Sequence, residues 1–319
     1  MPDLAVELAP RHSKGLRLRN PVMIASGTFG WDGWGRGLTA DFGIGRLGAV
    51  LPKTLTRYPH EGNPEPRWTP QSFRRAWQAH DFIFLNSVGL ANPGIEAGLK
   101  EMLPEWLKWQ VPVILSIAGE SVAEFEELAA IAEGAEGVAG LELNLSCPNV
   151  QRGLQFGQSA ELVGQAVRAA KRVSSLPVIA KLTPNVSDIL PVALAAEEAG
   201  ADALTLTNTL SAMLIDIEGR KPVLGGITGG LSGMSLKPVS LAMVYKVAPR
   251  VGVPVIGCGG VFTCKDALEY IMAGATAVQM GSANLVDFGM AAQVVDGLSA
   301  YLEEKGVGDL KELIGAAQV

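Results

Sequence analysis

A chain of 319 residues, 48% of them hydrophobic, can bury a large core, and α/β barrels routinely reach this length as one domain. A net charge of −6 argues against a nucleic-acid surface. No run of about 18 apolar residues offers a membrane span, and the N-terminus lacks an apolar signal stretch, which points to the cytoplasm.

In chain order, the strand-like runs are PVMIAS (21–26), GAVLPKT (48–54), VPVILSIAG (111–119), GLELNLS (140–146), PVIAKLT (177–183), DALTLTN (202–208), VPVIGCGG (253–260) and TAVQMGS (276–282). Each is apolar on both faces, as parallel strands under helices are. Helix-like segments lie between them, with Ser121, Ser159 and Ser187 as candidate N-caps and Gly200 as a helix stop. EEAGADALTL and IMAGATAVQM repeat one junction of helix end, AGA turn and strand start. Eight such units predict a (β/α)8 TIM barrel spanning 1–319 as a single domain. A doubly wound sheet would instead show one dominant Gly-rich first turn. The stretch 55–85 reads as the longest irregular region, and hence as a functional loop.

Barrel chemistry collects at the C-terminal strand ends. Those ends carry Ser26-Gly27, Lys53-Thr54, Asn144, Cys147, Lys181, Asn208-Thr209, Gly259-Gly260 and Gly281-Ser282. Glycines after strands seven and eight suit a phosphate, because backbone N–H groups can approach it closely. ITGGLSGMSLKP (227–238) adds either further donors or a flexible loop. Lys181 suits a cofactor that gains negative charge in a water-poor site. Flavin mononucleotide (FMN) would use both features.

Three cysteines, none in a CxxC pair, fit a reducing compartment and are too few for an ordinary four-thiolate iron–sulfur centre. Cys147 ends the fourth strand before a polar, Gly-containing PNVQRGLQFG, the composition of a flap, and is the candidate general base. Cys258 and Cys264 read as packing residues. His12, His60 and His80 sit at no strand end and are too scattered for a metal site.

Taken together, GNPEPR, NSVGLANPG, ELNLSCPNV, KLTPNVSD, TNTL, ITGGLSG, GCGGV and AVQMGSANL make the chain resemble class 1 dihydroorotate dehydrogenases, and the class 1B catalytic subunit most closely. The resemblance implies oxidation of dihydroorotate to orotate in pyrimidine biosynthesis, with Cys147 taking a proton and flavin N5 a hydride. It implies orotate contacts at Lys53, Asn86, Asn144, Asn149, Asn208 and Thr209, with the backbone of Gly89 and Leu90. Flavin contacts are implied at Ala25, Ser26, Gly27, Lys53, Thr54, Asn144 and Lys181, and phosphate contacts at Gly233, Gly259, Gly260, Gly281 and Ser282. Also implied are a homodimer and a partner subunit carrying FAD and an iron–sulfur cluster, giving a heterotetramer with NAD⁺ as acceptor.

Three features depart from the family pattern. WTPQSFRRAWQAHDFIFL is longer than usual, Leu154 stands for a flap glycine, and Met234 for a proline. The competing readings are a fumarate-linked class 1A enzyme, another FMN barrel acting on a pyrimidine, and a non-redox lyase or isomerase barrel for a phosphorylated sugar.

Overall fold

The computed structural model describes residues 2–146 and 156–319. Eight parallel strands close into a barrel in sequence order: β1 Val22–Ile24, β2 Ala49–Val50, β3 Val113–Ile117, β4 Val138–Asn144, β5 Val178–Leu182, β6 Ala203–Leu206, β7 Val255–Cys258 and β8 Ala277–Met280. All eight lie inside the expected runs, with the single exception that β4 begins two residues earlier. Every residue of β3 and β5 is buried, as the two-sided apolar pattern requires. Fully burying one such Val, Leu or Ile contributes about 1.5–3 kcal/mol.

A proline stands immediately before each odd strand: Pro21, Pro112, Pro177 and Pro254. Proline has no N–H to offer a ladder, so strand entry is where it fits. Its carbonyl is still used. Val278, Val50, Leu141 and Leu204 each donate a backbone N–H to one of these four carbonyls, at 2.8–3.0 Å.

The outer layer comprises α1 Ile95–Leu107, α2 Val122–Glu133, α3 Ala160–Val173, α4 Leu190–Glu198, α5 Lys237–Val247, α6 Cys264–Met272 and α7 Met290–Lys305. Ser121 and Ser159 cap α2 and α3 by accepting the N–H groups of Glu124 and Leu162. Ser187 does not cap α4: the N-cap is Ile189, and the Asp188 carboxylate takes the Leu190 N–H. The two AGA junctions are alike in space. Ala201 bonds back to Ala196 and Ala275 to Tyr270, across glycines with φ of 99° and 111°.

Two expectations need correction. The first βα unit has no α-helix; two short 3₁₀ turns, Ala40–Phe42 and Ile44–Arg46, take its place. Its sequence is rich in glycines, several at positive φ, which disfavours a continuous helix. The stretch 55–85 is also not wholly irregular. It contains the strand Trp68–Thr69, the short helix Phe73–Gln78 and the strand Phe84–Asn86. Those strands join Gly229–Ser232 and Leu210–Ala212 in an antiparallel four-stranded sheet, so ITGGLSG is not a flexible loop either. Among the described residues, no helix is long and apolar enough to cross a membrane.

Candidate active site

The strand ends and the four-stranded sheet enclose a cavity of about 670 Å³, within the range of cofactor and small-molecule sites. It is lined by Ala25, Ser26, Gly27, Lys53, Thr54, Asn86, Gly89, Leu90, Asn144, Lys181, Asn208, Thr209, Gly233, Gly259, Gly260, Gly281 and Ser282. Every candidate contact read from the sequence is therefore in one place, apart from two. Cys147 and Asn149 lie outside the described residues, as does Leu154; Ser146, the sequence neighbour of Cys147, lines the cavity.

One half of the cavity is rich in amides. Asn144 ends β4 and accepts from Asn208 Nδ2 at 3.1 Å, while Asn208 Oδ1 takes the Thr209 N–H at 2.8 Å. Asn86 reaches the cavity from the overlying sheet rather than from the barrel. Gly89 and Leu90 both take left-handed backbone conformations, with φ of 70° and 54°. For a leucine this is strained, and buried Asn92 holds it by donating to the Leu90 carbonyl at 2.6 Å. Asn92 also bonds Thr56 and Gly94, so its amide is fully used.

Lys53 is half-buried beside Gly27 and, among the described residues, has no carboxylate within 4.0 Å. Desolvation, then the charge of nearby Arg67, lowers its pKa from the ordinary lysine value to about 8. An unpaired ammonium in this position favours an anion alongside it. The adjoining wall is a hydroxyl chain, Ser26 to Thr54 at 2.7 Å and Thr54 to Ser116 at 2.9 Å.

Lys181 is different. It is buried in β5, and a carboxylate missed by the sequence reading lies beside it: Glu142 of β4, wholly buried, 3.4 Å from Nζ. Gln279 of β8 bridges the pair, accepting from Lys181 at 2.9 Å and donating to Glu142 at 2.5 Å; Thr205 of β6 donates to the same carboxylate at 3.0 Å. Burial opposes the ammonium, Glu142 and then Cys258 favour it, and the lysine pKa stands above its ordinary value. A Glu inside an apolar strand run was the available signal, and ELN reads as an ordinary strand end without its partners in view. Cys258 also lines the cavity, where burial raises its thiol pKa.

The other half is glycine-rich. A Cβ on Gly260 would lie 2.8 Å from the Gly233 carbonyl, so the turn after β7 presses against the ITGGLSG strand. Tyr270 donates to the Gly259 carbonyl at 2.7 Å, and Ser282 to Ser232 at 2.8 Å. A side chain on Gly281 would meet only Ala25 at 3.6 Å and Thr28 at 4.0 Å, so glycine leaves this space free. Backbone donors around such a space suit a phosphate, and a buried lysine deeper in the cavity suits a ring that gains negative charge. The donor set fits FMN.

The comparisons with known proteins identify the family. The family model "Dihydroorotate dehydrogenase" matches residues 9–302. The catalytic subunit of dihydroorotate dehydrogenase B (NAD(+)) of Desulforudis audaxviator is 48% identical over 304 residues, covering 95% of each chain. Its counterpart in Geotalea uraniireducens is 45% identical, covering 99% of this chain and 98% of its own, and that of Geobacter sulfurreducens is 43% identical over 100% and 99%. The barrel, its cavity and these matches place the chain in the dihydroorotate dehydrogenase family.

Proposed function

We propose that this chain oxidises dihydroorotate to orotate for pyrimidine biosynthesis in the cytoplasm. Residues 1–319 would act as one FMN-binding domain, with electrons passing to NAD⁺ through a partner subunit carrying FAD and an iron–sulfur cluster. The observation that carries the reading is the lining of one cavity. That cavity brings a lysine with no described carboxylate partner and a ring of amides together with three glycine-rich turns.

An anionic pyrimidine needs the lysine and the amides. Lys53 meets the carboxylate, while Asn86, Asn144, Asn208 and Thr209 meet the carbonyl and imide edges, which both accept and donate. Asn149 joins them. FMN, when bound, supplies the two-electron acceptor, held by Ala25, Ser26, Gly27, Thr54 and Lys181 at its ring and by Gly233, Gly259, Gly260, Gly281 and Ser282 at its phosphate. Cys147 takes the proton from the ring carbon next to the carbonyl. A free thiol has a pKa near ~8.5, so it serves as a base near neutrality without being permanently charged.

The relatives' names, which pair NAD(+) with a catalytic subunit, support this acceptor over fumarate. A homodimer is supported by the exposed apolar run Met213, Leu214, Ile215 and Ile217, the last 78% exposed, since large exposed apolar patches mark association surfaces.

Two measurements test the reading. The purified chain with FMN should show flavin absorbance near ~450 nm; failure to bind FMN refutes it. Cys147→Ala should keep FMN and orotate binding while losing about 10²- to 10⁴-fold in turnover, and full activity in that variant would remove the thiol from the mechanism.

A further inference from the structure

The stretch 68–78 covers the glycine-rich end of the cavity and brings a cation with it. Trp68, Gln71, Ser72, Phe73 and Arg74 all line the cavity. The short helix Phe73–Gln78 is pinned at both ends. Trp77 stacks on Phe262 with centroids 4.7 Å apart and planes at 3°, and Phe73 meets Phe84 edge-on at 5.0 Å. Phe84 in turn lies against Gly233, where an added Cβ would come within 3.1 Å of its ring. The helix also packs on Ser282–Val286, which starts directly after Gly281. Aromatic contacts thus tie this segment to two of the three glycine-rich turns.

Among the described residues, the cations near this end are few. Lys237 is committed to Asp266 at 2.5 Å and Glu269 at 2.9 Å. Lys181 is paired with Glu142, and Lys53 stands beside Gly27. Arg74 is the one arginine among the described residues that line the cavity, and no described carboxylate lies within 4.0 Å of it. A phosphate monoester carries about −1.5 to −2 charges at neutral pH. Backbone N–H groups supply partial charges only, whereas an arginine supplies a full one in a planar fork that matches phosphate.

We propose that Arg74, an exposed side chain lining the cavity, is a phosphate ligand, brought to the glycine turns by the segment 68–78 and closing on the phosphate of FMN. This rests on the FMN reading above. The test titrates the full-length chain, freed of flavin, with FMN and with riboflavin, following quenching of flavin fluorescence in wild type, Arg74→Gln and Arg74→Lys. A charge-assisted contact predicts that Arg74→Gln weakens FMN binding about 10- to 100-fold and leaves riboflavin binding within about twofold, with Arg74→Lys in between. Retained riboflavin binding also shows that the variant is folded. Wild-type protein that binds FMN, with Arg74→Gln equally tight, overturns this proposal alone. Equal losses for FMN and riboflavin overturn it too, since the effect would not be on the phosphate. Wild-type protein that binds neither flavin overturns the FMN reading and this proposal with it.

Discussion

Replacing Glu142 by Gln isolates what the buried pair does. The carboxylate is wholly buried and Lys181 is 7% exposed, so neither charge can turn to water. Gln keeps the shape but puts an NH₂ group where one carboxylate oxygen stood, facing either Lys181 at Oε1 or the donors Gln279 and Thr205 at Oε2. Breaking a buried pair by removing one partner costs about 3–5 kcal/mol, and that is the loss expected in guanidinium unfolding at pH 7. The double variant Glu142→Gln/Lys181→Met removes the stranded charge and should recover most of it.

The pH dependence is a second check on the same pair. In the wild type the folded Lys181 pKa lies above the unfolded value of about 10.4, so its contribution is complete below that value and is lost as pH rises further. In Glu142→Gln the folded pKa falls below the unfolded one, so the deficit should shrink as pH rises from 7 toward 10. A single variant within about 1 kcal/mol of wild type at pH 7, or a double variant no more stable than the single, would refute this account.

Lys53 yields the opposite pH behaviour. Its folded pKa of about 8 lies below the unfolded value, so the ligand-free chain should gain stability between pH 8 and about 10.4. An anion beside Lys53 restores its charge, so orotate affinity should fall as pH rises through the same window; calorimetric titration that finds no difference in this slope between wild type and Lys53→Met would rule the contact out. Gly230→Ala would place a Cβ 2.1 Å from Thr209 Oγ1 and 2.5 Å from Thr209 Cβ. Overpacking of this kind costs about 1–3 kcal/mol, so thermal unfolding should drop and orotate binding weaken together, and an unchanged orotate affinity would show that Thr209 does not touch the ligand.

The barrel was legible because parallel strands covered on both faces leave a distinctive two-sided apolar run, eight times over. The cavity's floor was legible for a related reason. Lysine and asparagine at the ends of such runs have no packing role to explain them. What escaped depends on partners far apart in sequence. The sheet over the cavity uses strands of two to four residues, too short to carry a period. Glu142 meets Lys181, Thr205 and Gln279 across 39 to 137 positions. The missing first helix could have been read from its glycines, while Ser187 failed as a cap because Asp188, one residue nearer the helix, took the bond.

The four-stranded sheet has a kinetic consequence. It is stitched from two connections, one between β2 and β3 and the other between β6 and β7, and its pairings span only two or three residues each. The barrel's closed ladders share no strand with it, so it is expected to open at a lower free energy than the barrel, against the packing of Phe84 on Phe262. The residence time of any molecule beneath it should then follow that opening rather than unfolding of the barrel, which ligand release measured against hydrogen exchange at Leu85 would check. Heating would release the bound molecule first and leave behind a folded chain able to take it up again.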